Sequence, residues 1–187
     1  QPKSPPADPF PPTEPPAGVA SVNFTEFAVI PDAVNGEAPR LMHLVDEPGT
    51  KTLFVSTMRG QLYSVSYDGK RVLEYLDIHA PAWNIGVQFQ GNERGFQSFV
   101  FHPQFAQSGT RGYGKFYTYL DTTNTTPAPD FTPGEGAKRT HDTVLLEWTA
   151  KNPPAPAYDG GPPKELFRAA QPFANHNAGE VAFNLLA

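Results

Sequence analysis

Apolar and polar residues alternate along this chain in short runs, and the period is two rather than the 3.6 of a helix. The clearest case is Thr52-Leu53-Phe54-Val55-Ser56, an Arg59-Gly60 turn, and then Gln61 to Tyr67 with Tyr63, Val65 and Tyr67 on one face. Asp68-Gly69 follows as a tight-turn dipeptide whose two central positions are expected to take positive φ. Val72 to Ile78 is the next strand, and Arg40 to Asp46, closed by Glu47-Pro48-Gly49, precedes the group. Four hairpin-linked strands in about 40 residues are the size of one propeller blade.

The pattern recurs with longer loops. Phe96–Phe101, Gly114–Leu120, Thr143–Trp148 and Lys164–Arg168 read as strands, separated by Thr-, Pro- and Gly-rich stretches over 121–140 and 152–163. Phe24–Ile30 reads as a lone first strand. Gly179–Asn184 reads as the opening of a third unit, since Val181-Ala182-Phe183-Asn184 matches Phe99-Val100-Phe101-His102 in pattern. The expected fold is therefore all-β, with blade-like units at about 40–78 and 96–169 and a third begun at 179. At about 40–50 residues per blade the chain holds roughly two blades plus flanking strands. Residues 19–187 then form the N-terminal part of a propeller domain.

Composition sharpens this picture. Twenty-two prolines and 16 glycines disfavour long helices and suit short strands between loops. Eight of the prolines fall in the first sixteen positions, so 1–18 is expected to be a disordered or extended arm anchored only by Phe10, rather than a recognition ligand. A net charge of −5 argues against nucleic acid or an anionic membrane as the main partner. No apolar run approaches the roughly 20 residues of a membrane span. With no cysteine, thiolate chemistry and disulfides are excluded.

Two stretches carry candidate chemistry. The first is Gly91-Asn92-Glu93-Arg94-Gly95, a polar turn feeding Phe96-Gln97-Ser98-Phe99-Val100-Phe101-His102-Pro103-Gln104-Phe105. The second is Asn175-His176-Asn177-Ala178-Gly179-Glu180-Val181-Ala182-Phe183. Imidazole titrates near neutrality and suits proton transfer, yet a histidine in an asparagine loop is also a common turn residue bonded to backbone. Glu93 can accept hydrogen bonds from hydroxyl groups or pair with Arg94. His102, before Pro103, reads as a turn cap. His43, His79 and His141 show no metal spacing. Asp121, Asp130, Asp142 and Asp159 are placed in loops without calcium-loop spacing. Trp83 and Trp148 read as packing. Asn23-Phe24-Thr25 and Asn124-Thr125-Thr126 are glycosylation sequons.

Together the two stretches resemble the soluble quinoprotein sugar dehydrogenases, also called glucose/sorbosone dehydrogenases. The first is similar to that family's first inner strand, with its Gly-x-x-x-Gly and Phe-His-Pro-x-Phe. The second is similar to its Asn-His-Asn-Gly-Gly loop. The resemblance covers about residues 20–187 and implies a six-bladed β-propeller using pyrroloquinoline quinone (PQQ) and Ca²⁺ to oxidise the anomeric hydroxyl of a sugar. It places the general base on His176, cofactor contacts on Asn175 and Asn177, and a substrate contact on Glu93. Small Ala178-Gly179 would let a flat cofactor approach the backbone. It also implies an electron acceptor and a periplasmic or secreted location. Phe96-Gln97-Ser98 departs from the family's Leu-Leu-Gly, and Leu185 stands where a proline is usual. The calcium ligands and the quinone-holding cations would lie in later blades, supplied by more polypeptide or by a partner chain. The competing expectation is a non-catalytic propeller that binds carbohydrate or protein.

Overall fold

The computed structural model describes residues 22–31, 38–91, 93–134, 138–177 and 179–184. Eight strands form two four-stranded antiparallel sheets, each a meander in chain order. The first sheet holds β1 (Leu41–Glu47), β2 (Thr52–Thr57), β3 (Gln61–Ser66) and β4 (Val72–Asp77). The second holds β5 (Phe96–Phe101), β6 (Lys115–Thr122), β7 (His141–Thr149) and β8 (Lys164–Gln171). Among the described residues the one helical turn is a 3₁₀ segment, Pro81–Trp83. The fold is all-β, and the sheets pack side by side with β1 beside β5, as neighbouring propeller blades do.

Alternation decides which face is buried. In the first sheet Phe54, Leu62 and Tyr75 turn toward the second, which answers with Phe99, Phe101, Phe116, Leu146 and Trp148. The rings interlock across the interface. Phe54 meets Phe101 with centroids 4.5 Å apart, and Tyr75 meets Phe116 at 6.1 Å and Tyr158 at 6.3 Å. Trp148 is fully buried, stacks on Phe116 at 6.1 Å, and gives its indole N–H to Thr118 Oγ1. Each such side chain contributes about 1.5–3 kcal/mol by leaving water. Both tryptophans pack as expected, with Trp83 edge-on to Trp148 at 5.5 Å.

The outward faces are also apolar. One is lined by Leu41, Leu44, Leu53 and Val55, the other by Val100, Tyr117, Leu145 and Leu166. Residues 22–31 cross the first of these faces without forming the strand expected over Phe24–Ile30. No backbone ladder is open to them there, and Phe24 is left exposed. Residues 179–184 likewise form no strand. Val181 N–H bonds to Ser98 Oγ at 2.9 Å, and the Phe183 ring sits against His102 and Tyr117. The proline-rich segment 1–18 lies outside the described residues.

The Asp68-Gly69 turn differs from the expected two-residue form. Of the pair only Gly69 has positive φ (72°), and its N–H closes on Ser66 C=O at 2.8 Å. Asp68 instead accepts from Ser66 Oγ at 2.6 Å and Lys70 N–H at 3.1 Å, so its side chain braces the turn. A Cβ at Gly69 would also strike the Phe27 carbonyl.

Candidate functional site

Antiparallel register brings the start of β5, the end of β6, the start of β7 and the end of β8 to one end of the second sheet. The loop before β5 presents Glu93 there, and the loop after β8 presents His176. Although 83 residues apart, they meet: His176 N–H donates to Glu93 Oε2 at 2.9 Å, and Nδ1 lies 3.7 Å from the same oxygen. His176 has φ of 56°, a left-handed conformation uncommon outside glycine. Its imidazole remains 83% exposed and Glu93 46% exposed, so both groups can reach a solute. Glu93 thus engages His176, while Arg94 Nε donates to Gln90 C=O at 2.9 Å.

The other predicted site residues separate into two kinds. Asn175 is exposed on the same loop. Asn177 is buried, donating Nδ2–H to Gln171 Oε1 at 3.0 Å, which ties the loop to the end of β8. Ala178 and Asn92 lie outside the described residues. Gly179 is small for a local reason: a Cβ there would sit 3.0 Å from the Tyr119 ring. His102 accepts Gln104 N–H on Nδ1 at 3.0 Å and so caps its turn, as read from the sequence.

Beneath the loops lies a buried polar cluster that the sequence reading missed. Asp121 and Asp142, taken as loop residues, are in β6 and β7 with fully buried side chains. Asp121 Oδ2 accepts from Gly95 N–H at 3.2 Å and Gln97 Nε2 at 3.0 Å, while Oδ1 accepts from Thr143 Oγ1 at 2.7 Å. His141, equally buried, places Nε2 3.4 Å from Asp121 Oδ1 and Nδ1 2.8 Å from Thr140 Oγ1. Asp142 is clasped by Arg139 and by Arg168 Nη1 at 2.6 Å. Burial pushes its carboxyl up, but the bonds from Arg139 and Arg168 outweigh that and hold it below the usual carboxylate range. The signal was present but masked. Alternate burial along β6 breaks at Leu120-Asp121-Thr122, where loops cover both faces and Asp-Thr-Thr-Asn reads as a turn.

Gly95 fits this arrangement closely. Its φ is 137°, and a Cβ would meet the Met58 carbonyl oxygen at 2.2 Å. Phe96 N–H donates to that same carbonyl at 2.9 Å, so the loop carrying Glu93 is pinned to the first sheet as well as to Asp121.

No family model matches the chain, and no curated protein matches it. Solved structures are similar to it in part. A glucose dehydrogenase shares 20% identity at a TM-score of 0.46, over 70% of this chain and 30% of that one. The PQQ-bound aldose sugar dehydrogenase from Streptomyces coelicolor shares 19% at 0.46, over 71% and 31%. Another glucose dehydrogenase shares 20% at 0.45, over 70% and 32%. The chain thus matches about a third of the length of each of these structures.

Proposed function

We propose that this chain is part of an oxidoreductase of the quinoprotein aldose dehydrogenase kind, with His176 as the general base. The observation that carries the reading is the meeting of Glu93 and His176, nominated from two separate stretches of sequence, at one end of a sheet. His176 takes the proton of a sugar's anomeric hydroxyl on its exposed imidazole. Glu93 orients that imidazole through the backbone and accepts a hydrogen bond from a sugar hydroxyl. Asn175 stands beside the base, and Asn177 holds the loop in place from below. When bound, PQQ supplies the acceptor for the hydride leaving the same carbon.

The fit to the two implied groups differs. A flat quinone has an exposed loop to lie against at Asn175 and His176, held by the His176–Glu93 and Asn177–Gln171 bonds. Calcium has no donor set here. Among the described residues no three acidic or histidine side chains converge, and the oxygens of Asp121 are already bonded to Gly95, Gln97 and Thr143. No step is therefore derived through it. The apolar outer faces support further blades, from more polypeptide or a partner chain, which would bring the remaining ligands. Sugar substrate, electron acceptor and a periplasmic or secreted location belong to the same proposal. Among the described residues no helix is long and apolar enough to cross a membrane.

The test uses the full-length protein with PQQ and Ca²⁺ added, following dye reduction by aldoses. His176→Ala is expected to lower turnover by about 10²-fold or more, the size of a lost general base. Unchanged turnover in that variant would refute the assignment. Absence of any spectral change on PQQ titration would point to a binding module instead.

A further inference from the structure

We infer that Gln97 is the positioning residue of this site, tying the buried carboxylate of Asp121 to the backbone of Glu93 and so setting where Glu93 meets His176. The inference rests on the reading of Glu93 and His176 as the working pair. Gln97 sits where the register of β5 against β6 slips between Phe96 and Ser98. Such a bulge frees a residue from the ladder and re-aims its side chain, a device found beside active sites. Here it leaves a long polar side chain buried in a strand whose other buried residues are Phe96, Ser98, Phe99 and Phe101.

The amide is used on two sides. Gln97 Nε2 donates to Asp121 Oδ2 at 3.0 Å and to Glu93 C=O at 2.7 Å. Both its N–H bonds are spent in bridging one buried anchor to one exposed loop residue. The oxygen that Gln97 grips, Asp121 Oδ2, is also held by Gly95 N–H, so it stays anchored without the Thr143 Oγ1 bond to Oδ1. The strut therefore runs from the strand interior through Gln97 to Glu93, and Glu93 Oε2 carries it to His176 N–H. Gln97 is buried and donates to Asp121 and Glu93, so its action on His176 runs through Glu93.

The test follows His176 itself, by NMR on the ¹⁵N-labelled full-length protein. Gln97→Met keeps length and bulk and removes both donors. It is expected to speed exchange of the His176 amide by at least about fivefold, the size of one lost hydrogen bond, and to move its amide resonance. Adding Glu93→Gln to that variant is expected to change His176 little further, because the two act in series. Thr143→Val removes a different bond to Asp121 and leaves the strut, so His176 is expected to stay within about twofold of the parent. Gln97→Asn, one methylene too short to span both acceptors, gives the same reading if Gln97→Met does not fold. Unchanged His176 exchange and amide resonance in folded Gln97→Met or Gln97→Asn would overturn the inference. So would an equal effect from Thr143→Val, which would mean general loosening. A full-length protein that oxidises no aldose would remove the functional reading alone, since the coupling is measured without turnover.

Discussion

Arg168→Met probes the buried polar layer under the site. The Arg168 side chain is 4% exposed and Asp142 not at all. Its guanidinium gives Nη1 to Asp142 Oδ2 at 2.6 Å and to Asn124 C=O at 2.7 Å, and Nε and Nη2 to Glu165 at 2.8 and 2.6 Å. Methionine keeps the apolar stem and deletes every donor, leaving the Asp142 charge buried with Arg139 alone. Breaking a buried pair in this way costs about 3–5 kcal/mol, a large part of the roughly 5–15 kcal/mol that stabilises a typical domain. The sign with pH follows from Asp142, whose native pKa lies below its ordinary value. A depressed carboxylate contributes stability fully above the unfolded pKa of about 3.9 and loses it as pH falls through the native value. In the variant that depression shrinks. Urea unfolding of parent and variant should therefore differ most at pH 7, with the gap narrowing toward pH 3. A gap under about 1 kcal/mol at pH 7, or the same gap at both pH values, would refute a charge-driven role.

Three further outcomes follow from local geometry. Gly95→Ala puts a methyl group into the Met58 carbonyl at a positive φ, and should lower stability by at least about 1–3 kcal/mol in thermal unfolding; a melting temperature equal to the parent's would contradict the geometry. Burial, then the Glu147 hydrogen bond and charge, push the Tyr117 phenol up to about 12. Because this native pKa is raised, Tyr117 contributes stability below pH 10 that is lost as pH rises toward 12, so a 295 nm titration minus that of Tyr117→Phe should show its phenolate only at the alkaline end. In Glu147→Gln the same transition should move to lower pH, and an unmoved curve would remove Glu147 as a cause. Trp148→Ala should cost about 3–5 kcal/mol in chemical denaturation, by emptying the contact with Phe116, Trp83 and Tyr158.

Strands whose partners are local were legible from the residues alone. β2, β3 and β4 alternate cleanly and are joined by short turns, so period and turn chemistry agree, and β5 to β8 were placed to within a few residues. Phe24–Ile30 and Gly179–Asn184 show the limit of pattern. Both have strand-like residues, but a strand needs a neighbouring backbone, and pattern cannot say whether one is there. The site divides the same way. Its exposed members, Glu93 and His176, carry recognisable loop chemistry. Their supports, Gln97, Asp121, His141 and Arg168, look ordinary in sequence because their meaning lies in partners 20 to 44 residues away.

The aromatic seam between the sheets also bears on how the molecule can be divided. Phe54 and Tyr75 from one sheet share a core with Phe101, Phe116 and Tyr158 from the other. A protease cut or a gene fusion placed between Asp77 and Phe96 would leave each half with a wall of bare rings. Neither sheet is then a separable module. Unfolding is therefore expected to run through both at once, and a single blade is too small a unit for such chains to exchange by recombination.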